Sequence, residues 1–375
     1  MIYLDYAATT PIRREALDVY QEVAERYYGN ASSLHDIGTK ANEALALCRK
    51  QLADMVNGES EGVYFTSGGS EANILAVRSL LLGNLSKGNH IITTEIEHAS
   101  LYNECKQLEK EGYDVTFLGV DEHGRVKIDE LFNSLRDDTV LVSIQHANSE
   151  TGVIQPIEEI GSLLQERDII FHTDTVQTFG KIPIDIQKMG IDSLSIASHK
   201  LYGPKGVGAC YIRPEVRFRS VHEGTTHEAG FRPGTVDVPG VVAFTTVANL
   251  HVAEAKDEQS RLHDLRTYFL KKLSRLMADI QLEANPHAQL PGIIGFTSQK
   301  VQGQHIMLEC NRYGIAISTG SACQVGQSQP SRTMLAIGKE ENIANGFFRI
   351  SLGMHTTKEN MDTTVSILEK IITEI

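Results

Sequence analysis

Tryptophan is absent from this 375-residue chain, and aromatic residues make up only 6% of it. Cysteine is scarce as well: there are five, and no two of them form a Cys-x-x-Cys pair. A zinc ribbon or a thioredoxin-type redox site is therefore poorly supported, and we expect no metal centre. The odd number and wide spacing of the cysteines indicate a protein of a reducing compartment.

Positive charge is also in short supply. Lys and Arg total 35 against 48 for Asp and Glu, which gives a formal net charge of −13. An acidic surface repels phosphate backbones, and no block of like charges creates a local exception. We therefore expect neither a nucleic acid nor an anionic membrane as a partner.

Long apolar runs are missing too. The first residues lack the basic region and apolar run of a signal peptide, and no stretch is long enough to span a bilayer. These absences predict a soluble, cytoplasmic protein.

The middle of the chain alternates short apolar runs with longer amphipathic ones. Most of the short runs are continuously apolar, as expected for strands buried on both faces of a sheet. Strand–helix alternation of this kind predicts an α/β fold with a parallel sheet. The predicted strands are Gly62–Thr66, His90–Thr94, Thr139–Gln145, Ile169–His172, Ser193–Ala197 and Gly208–Ile212, and the predicted helices between them include Glu71–Leu82 and Ile157–Gln165.

The last third has a different pattern. A helical stretch over Gln259–Met277 is followed by three short strand-like runs and a closing amphipathic helix. This order predicts a second, smaller α+β domain. We place the large domain at residues 15–250 and the small domain at residues 1–14 and 251–375.

A glycine-containing turn, Thr66–Glu71, follows the first predicted strand and opens a helix. Its glycines allow a ligand to approach the backbone, and the helix start offers free N–H groups to an anion. The alternative is a tight turn with Ser70 as a helix cap. The turn matches neither a P-loop nor G-x-G-x-x-G, so it does not decide between the two.

Polar residues follow two further strands. His98 comes after His90–Thr94, and in a chain with 14 histidines a surface role is the more ordinary interpretation. Asp174 follows Ile169–His172, where a buried acid needs a partner. It either caps the next turn or holds a cation.

A lysine, Lys200, stands at the mouth of the strand Ser193–Ala197. Partial desolvation there lowers the pKa of its amine and makes it a usable nucleophile. A single lysine is usually a solvated charge. Beside an anion-binding turn and the acid at Asp174, however, a covalent amine becomes the better interpretation. An amine, a phosphate cradle and a carboxylate for a ring nitrogen are what pyridoxal phosphate requires.

A second unusual segment surrounds Cys323. The stretch from Ile317 to Gln329 is rich in Gly, Ser and Gln and almost lacks apolar anchors, which predicts a mobile surface loop. A thiol in such a loop is a candidate nucleophile. An incidental surface cysteine is the weaker alternative.

Together these residues resemble the NifS/IscS-type, class I cysteine desulfurases, a family of fold-type I pyridoxal-phosphate enzymes. The likeness covers nearly the whole chain, and the long stretch around Cys323 is similar to class I rather than to the short-loop class II. The motifs that carry it, in order, are Tyr3–Pro11, Gly29-Asn30 with Ser32-Ser33 and His35, Phe65–Gly68, Glu97-His98, Glu150–Gly152, His199–Gly206, Arg232–Thr235, Gly320–Cys323 and Arg349–Gly353.

The resemblance implies a large domain with a mainly parallel seven-stranded sheet flanked by helices, plus a small α+β domain. It implies removal of sulfur from l-cysteine, which gives l-alanine and a persulfide on Cys323, for iron–sulfur clusters or thio-modified tRNA. The alternative enzyme hypothesis is a selenocysteine lyase or a class V aminotransferase on the same fold. A third hypothesis is a catalytically weak scaffold that positions partners. The loop thiol argues against the aminotransferase.

Residue roles follow from the resemblance alone. Lys200 binds the cofactor and moves the substrate α-proton, Cys323 attacks sulfur, and His98 stacks on the ring and takes part in proton transfer. The remaining implied contacts are Asp174 to the ring nitrogen, Gln177 to the ring hydroxyl, Gly69, Ser70, Ser198 and His199 to the phosphate, Asn148 to cofactor and substrate, and Arg349 to the substrate carboxylate.

Partners are implied as well. Thr235 reaches the phosphate of another subunit in this family, so we expect a homodimer with shared sites. The chain stops at Ile375, where housekeeping relatives carry a further tail, so we expect a dedicated sulfur-acceptor protein. The chain departs from the family pattern at Ser149, where many relatives have a second asparagine, at Ala197, where they often have a phosphate-binding serine, and at Gln324, where Thr or Ser is usual.

Overall fold

The computed structural model describes residues 1–320 and 330–373. The strands are β1 (Ile2–Tyr3), β2 (Val63–Thr66), β3 (His90–Thr94), β4 (Asp114–Leu118), β5 (Thr139–Ser143), β6 (Ile170–Asp174), β7 (Ser193–Ala197), β8 (Gly208–Ile212), β9 (Ile280–Glu283), β10 (Ile293–Ser298), β11 (Ile315–Ala316) and β12 (Phe347–Ser351). The helices are α1 (Arg14–Arg26), α2 (Asp36–Asp54), α3 (Gly69–Gly83), α4 (Ala99–Lys110), α5 (Ile128–Ser134), α6 (Ile157–Gln165), α7 (Val238–Lys272), α8 (Gly303–Arg312), α9 (Arg332–Ala336), α10 (Glu341–Ala344) and α11 (Lys358–Thr373).

The large sheet has seven strands in the order β2-β8-β7-β6-β5-β3-β4. The run from β7 to β4 is parallel, and β8 pairs antiparallel with both β7 and β2. Six of the seven strands are buried along their whole length, because helices cover both faces. The predicted fold class is confirmed.

Two apolar clusters fill the space between the sheet and its helices. On one face, α2, α6 and α7 pack on the sheet through a cluster that includes Leu45, Ile160 and Phe244. On the other, α3 and α4 contribute Leu80 and Leu101. The continuous apolar runs in the sequence are thus the consequence of a sheet without a wet face.

The strands β3, β7 and β8 have the bounds predicted from the sequence, and the other predicted strands of the large sheet differ by one or two residues at an end. The edge strand β4 was missed. Three of its five residues are half-buried and one is exposed, so it lacks the continuous apolar run that identified its neighbours. Helix α3 begins earlier than predicted, at Gly69 inside the glycine turn.

The last third forms the predicted smaller unit. A three-stranded antiparallel sheet, β12-β10-β9, packs with α8, α11 and the end of α7 around Phe269, Phe296 and Phe348. The N-terminal strand β1 joins it by pairing parallel with β11. The domain limits stay a prediction, because α7 continues unbroken from residue 238 to 272, through the predicted division at residue 250.

A buried ion pair ties the segment after β8 to the rest of the large sheet. Glu228 receives two hydrogen bonds from the guanidinium of Arg49, at 2.7 and 2.9 Å, and a third from the backbone N–H of Phe65. Its side chain is 3% exposed. The backbone at Glu228 and Ala229 has φ of 47° and 51°, a region that residues other than glycine adopt at a cost. The ion pair therefore holds a strained turn in place.

We predict that Glu228→Gln destabilises the fold by about 3–5 kcal/mol. The exchange leaves the positive charge of Arg49 without a negative partner. It also places the N–H groups of a glutamine amide against the N–H donors of Arg49 or Phe65. Chemical denaturation followed by circular dichroism measures the effect. Glu223→Gln is the matched control, because Glu223 is 89% exposed and its ion pair with Arg219 is solvated. Equal denaturation midpoints for the two variants would contradict the prediction.

Candidate functional site

A cavity of about 440 Å³ opens at the carboxyl ends of the parallel strands. Its position is the one expected for ligands of open α/β sheets, and its size is that of a small-molecule site. Eight of the residues singled out in the sequence line it: Gly69, Ser70, His98, Asp174, Gln177, His199, Lys200 and Arg349.

The turn between β2 and α3 forms one wall. Gly68 has φ of +152°, a conformation that side chains disfavour. A Cβ on Gly69 would lie 2.6 Å from Cγ2 of Val176, so only glycine fits against that residue. Both glycines stand at the start of α3, where free N–H groups and the helix dipole favour an anion. The two glycines leave the backbone open to a ligand, and anion binding at this turn stays a prediction.

Lys200 lies on the turn after β7 and is 9% exposed. Its Nζ donates hydrogen bonds to the backbone carbonyls of Ala7 and Ala8, the latter at 2.8 Å. Burial, with the positive charges of Arg349 and Lys181 in support, lowers the pKa of its amine to about 7. A large fraction of this amine is therefore neutral and nucleophilic near pH 7.

Asp174, at the end of β6, keeps its carboxylate fixed by two donors. The backbone N–H of Val176 bonds Oδ1 at 2.9 Å, and the side-chain amide of Asn73 on α3 bonds Oδ2 at 2.8 Å. Each carboxylate oxygen retains a lone pair for a further donor. The side chain is thus positioned and still able to accept a hydrogen bond from a ligand.

His98 is the N-cap residue of α4. Its Nδ1 accepts from the backbone N–H of Ser100 at 3.2 Å and lies 2.8 Å from the Ser100 hydroxyl. Burial lowers the pKa of the imidazole. His199, next to Lys200, has its Nδ1 3.2 Å from the hydroxyl of Thr9, and burial lowers its pKa to about 4. Both rings are therefore neutral at pH 7.

Arg349, on β12, brings a buried guanidinium into the cavity. Nη1 donates to the backbone carbonyl of Ser149 at 2.8 Å, and Nη2 donates to Oδ1 of Asp5 at 2.6 Å. These bonds occupy two of its five N–H groups. Nε has no partner within the described part of the chain, so its N–H is left for a carboxylate.

The cavity holds a second buried polar atom without a partner. Nε2 of Gln177 donates to the carbonyl of Ala7 at 3.0 Å, while its Oε1 has no hydrogen bond in the described ranges. A buried acceptor in this state is costly unless a ligand supplies a donor. A ring hydroxyl at this position would supply one.

Three residues with predicted contacts do not line the cavity, and a fourth predicted site residue lies outside the part of the chain that the structure describes. Asn148 is buried, and its amide bonds the carbonyl of Ile96 and the backbone of residues 150 and 151. Ser198 is fully buried, and Thr235 is exposed. Their contacts to a ligand stay predictions, and Cys323 lies outside the described residues.

Several site residues were missed in the sequence. Ser149, singled out in the sequence only as a departure from the family pattern, lines the cavity, whereas Asn148, with a predicted contact, does not. Asp5 and Asn73 support the cavity from behind, the first through Arg349 and the second through Asp174. Asn73 left a recognisable signal, because it is a polar residue on the apolar face of a predicted helix. Asp5 lies in the motif Tyr3–Pro11, but its pairing with Arg349, 344 residues away, left no signal in the sequence.

Known structures share this architecture over the full chain. A solved protein titled NifS-like matches with a TM-score of 0.93 and 30% identity, and the match covers all of both chains. SspA, solved in complex with cysteine, matches with a TM-score of 0.82 and 32% identity over 94% of this chain and 99% of its own.

Sequence relatives agree. A NifS protein of Bacillus subtilis (strain 168), provisionally named a cysteine desulfurase, is 52% identical over 96% of this chain and 92% of its own. The cysteine desulfurase IscS of Dictyoglomus turgidum is 40% identical over 100% of this chain and 95% of its own.

The residues present fit the cofactor of this group of proteins. Lys200 provides the amine, Asp174 the carboxylate, the start of α3 the phosphate cradle and Gln177 the unpaired acceptor. The family model for aminotransferase class-V matches residues 2–363. From the fold, the cavity and this match, we conclude that the chain belongs to the class-V aminotransferase family of pyridoxal-phosphate enzymes.

Proposed function

We propose that this protein is a cysteine desulfurase. Its substrate is l-cysteine, and its products are l-alanine and a persulfide on Cys323. The observation that carries the proposal is the position of Gly320: it lines the same cavity as Lys200 and Arg349, and Cys323 follows it by three residues in the sequence. The names of the sequence relatives and the cysteine-bound SspA support the same substrate.

The reaction transfers one sulfur atom. The C–S bond of the substrate breaks, an S–S bond forms at Sγ of Cys323, and the substrate carbon gains a proton. Two thiols thus become one methyl group and one persulfide, without an external oxidant. Pyridoxal phosphate, when bound, supplies the electron sink that makes the bonds at the substrate α-carbon labile.

The chain's own residues divide the remaining tasks. We assign to Lys200 the covalent attachment of the cofactor and the movement of the α-proton, since its amine is neutral near pH 7. Asp174 would bind the ring nitrogen and Gln177 the ring hydroxyl. Gly69, Ser70, Ser198 and His199 would hold the phosphate, and Asn148 would contact the cofactor and the substrate. Arg349 binds the substrate carboxylate through its free N–H groups.

We propose that the protein is a homodimer in which Thr235 reaches the cavity of the other subunit. The residue is exposed and does not line the cavity of its own chain. Arg232, three residues earlier, bonds Glu71 on the cavity rim at 3.0 Å, which fixes the segment near a cavity mouth. We propose that Thr235 completes the phosphate site of a second subunit. A single-chain mass in sedimentation velocity, with the cofactor fully bound, would argue against this.

The persulfide sulfur is passed to an acceptor protein, for iron–sulfur clusters or for tRNA thiolation. We propose a dedicated acceptor and a cytoplasmic location. No helix in residues 1–320 or 330–373 is long and apolar enough to cross a membrane. Recovery of a general iron–sulfur scaffold as the main partner in a pull-down would contradict the dedicated acceptor.

We predict that the cofactor-free protein binds pyridoxal phosphate covalently at a rate that rises with pH up to about 7 and then levels off. Only the neutral amine attacks a carbonyl, and the pKa of Lys200 is lowered from 10.5 to about 7. The rate is measured by borohydride trapping and mass spectrometry, with Lys200→Arg as the blank. A rate that climbs through pH 10 would contradict the lowered pKa.

We predict that Arg349→Lys raises the KM for l-cysteine by about tenfold or more, with a smaller change in kcat. A lysine ammonium cannot bond Asp5, Ser149 and a substrate carboxylate together in the planar geometry of a guanidinium. Arg14→Lys, at a residue whose side chain is 81% exposed, is the matched control. An unchanged KM in Arg349→Lys would contradict the assignment of Arg349 to substrate binding.

The first test of the function is product analysis. Wild-type protein, l-cysteine and a reductant should give equimolar alanine and sulfide, and Cys323→Ala should give neither while it retains the cofactor absorbance. Cys48→Ala is the control, because burial raises the pKa of that thiol and it lies away from the cavity. A keto acid that retains sulfur would indicate transamination, pyruvate would indicate β-elimination, and discrimination for selenocysteine would favour the lyase.

A further inference from the structure

Two residues outside the assigned machinery connect His98 to Asp174. Asn73, on α3, is 1% exposed, and its Nδ2 lies 2.8 Å from Oδ2 of Asp174 and 3.0 Å from the hydroxyl of Ser100. The same hydroxyl lies 2.8 Å from Nδ1 of His98. The four side chains therefore form one continuous chain of hydrogen bonds across the floor of the cavity.

The carboxylate of Asp174, at one end of this chain of hydrogen bonds, determines which group donates in each bond. A carboxylate only accepts, so the NH₂ group of Asn73 faces it and its second hydrogen points to Ser100. Oδ1 of Asn73 then faces Nε2 of His172 at 3.4 Å, which donates to it when His172 carries its proton on Nε2. The Ser100 oxygen then accepts from Asn73, and its own hydrogen is left for Nδ1 of His98.

A second donor faces the same nitrogen. The backbone N–H of Ser100 bonds Nδ1 of His98 at 3.2 Å as part of the N-cap of α4. A proton on Nδ1 would point at this fixed N–H group and at the Ser100 hydroxyl hydrogen. A backbone N–H cannot reverse its direction, so Nδ1 stays unprotonated.

The charges around His98 favour the neutral ring. It caps the N-terminus of α4, where the helix dipole is positive and opposes an imidazolium. Burial acts in the same direction, as do the positive charges of Lys200 and Arg332, while Asp174 opposes them. A neutral histidine at a helix N-terminus that donates a hydrogen bond has a precedent in triosephosphate isomerase.

We propose that Asn73 and Ser100 are positioning residues that hold His98 as a neutral imidazole with its proton on Nε2. Within residues 1–320 and 330–373, Nε2 has no hydrogen-bond partner, and His98 lines the cavity. The ring therefore offers an N–H donor to the bound cofactor or substrate. It cannot accept a proton at Nε2 in this state, so proton transfer at the α-carbon falls to Lys200. This assignment rests on the proposed function and narrows the expected role of His98 to hydrogen-bond donation.

The test is the protonation pattern of the His98 ring in the holoenzyme. Protein labelled with ¹⁵N-histidine is examined by two-bond ¹H–¹⁵N correlation NMR, and the spectrum of His98→Gln identifies the His98 signals among 14 histidines. The expected pattern is an unprotonated Nδ1 and a protonated Nε2. It should persist as the pH is lowered through about 6.5, where an ordinary histidine is half protonated.

Ser100→Ala removes one of the two donors to Nδ1. It should raise the midpoint of the His98 titration by roughly one pH unit, as the loss of one hydrogen bond predicts. Ser79→Ala is the matched control: Ser79 is a buried serine on α3 whose hydroxyl donates to the carbonyl of Ala76, and the His98 signals should stay in place.

Two results would overturn the proposal. One is a proton on Nδ1, or a doubly protonated ring at pH 7, in the wild-type spectrum, which needs no variant. The other is a Ser100→Ala protein with an unchanged His98 titration. Because the NMR pattern does not depend on turnover, failure of the product analysis would refute the desulfurase and leave the tautomer measurement valid.

Discussion

The site depends on one constraint: an amine is buried without a carboxylate beside it. In the described chain no acidic oxygen lies within ion-pair distance of Lys200, and its Nζ is held by the carbonyls of Ala7 and Ala8. Carbonyl dipoles solvate an ammonium less well than water does, and the charge is correspondingly disfavoured. The same burial that excludes water from the cavity therefore supplies a neutral nucleophile. An ion pair at this position would stabilise the charged amine and raise its pKa, so the lysine would be protonated and not nucleophilic.

The N-terminal segment, residues 1–10, is the element that satisfies this constraint. It offers the two carbonyls to Lys200, the hydroxyl of Thr9 to His199 and the carboxylate of Asp5 to Arg349. Its strand β1 pairs with β11, which leads toward the segment that contains Cys323. Ser318, just beyond β11, exchanges backbone hydrogen bonds with Arg349 itself. One short stretch of chain thus connects the amine, the carboxylate-binding guanidinium and the approach to the thiol.

The sequence predicted those parts of the fold that local pattern encodes. Buried strands of the large sheet are continuous apolar runs, and the polar residues that follow β3, β6 and β7 converge because parallel strands end at one edge. Strand β4 was missed because it is a half-buried edge strand, and such a strand lacks a continuous apolar run in the sequence. The supports of the site were missed for a different reason: the partners of Asp5 and Asn73 are 344 and 101 residues away, and neither periodicity nor spacing reports a contact of that range. The lining by Ser149 instead of Asn148 depends on the direction of a turn, which residue type alone does not give.

The polar network under the cavity explains why the site can be both buried and specific. A half-satisfied buried network is costly, whereas a satisfied one fixes each donor and acceptor in a single direction. Here the carboxylate of Asp174 fixes the orientation of the Asn73 amide, and the amide fixes the direction of the Ser100 hydroxyl. The hydroxyl in turn fixes which nitrogen of His98 carries the proton. Among the buried polar atoms without a partner in the described chain, Oε1 of Gln177 and Nε of Arg349 are the two that belong to residues lining the cavity, so these are the atoms that a ligand can satisfy. One is an acceptor and one a donor, so they match the hydroxyl of the cofactor ring and the carboxylate of the substrate, respectively.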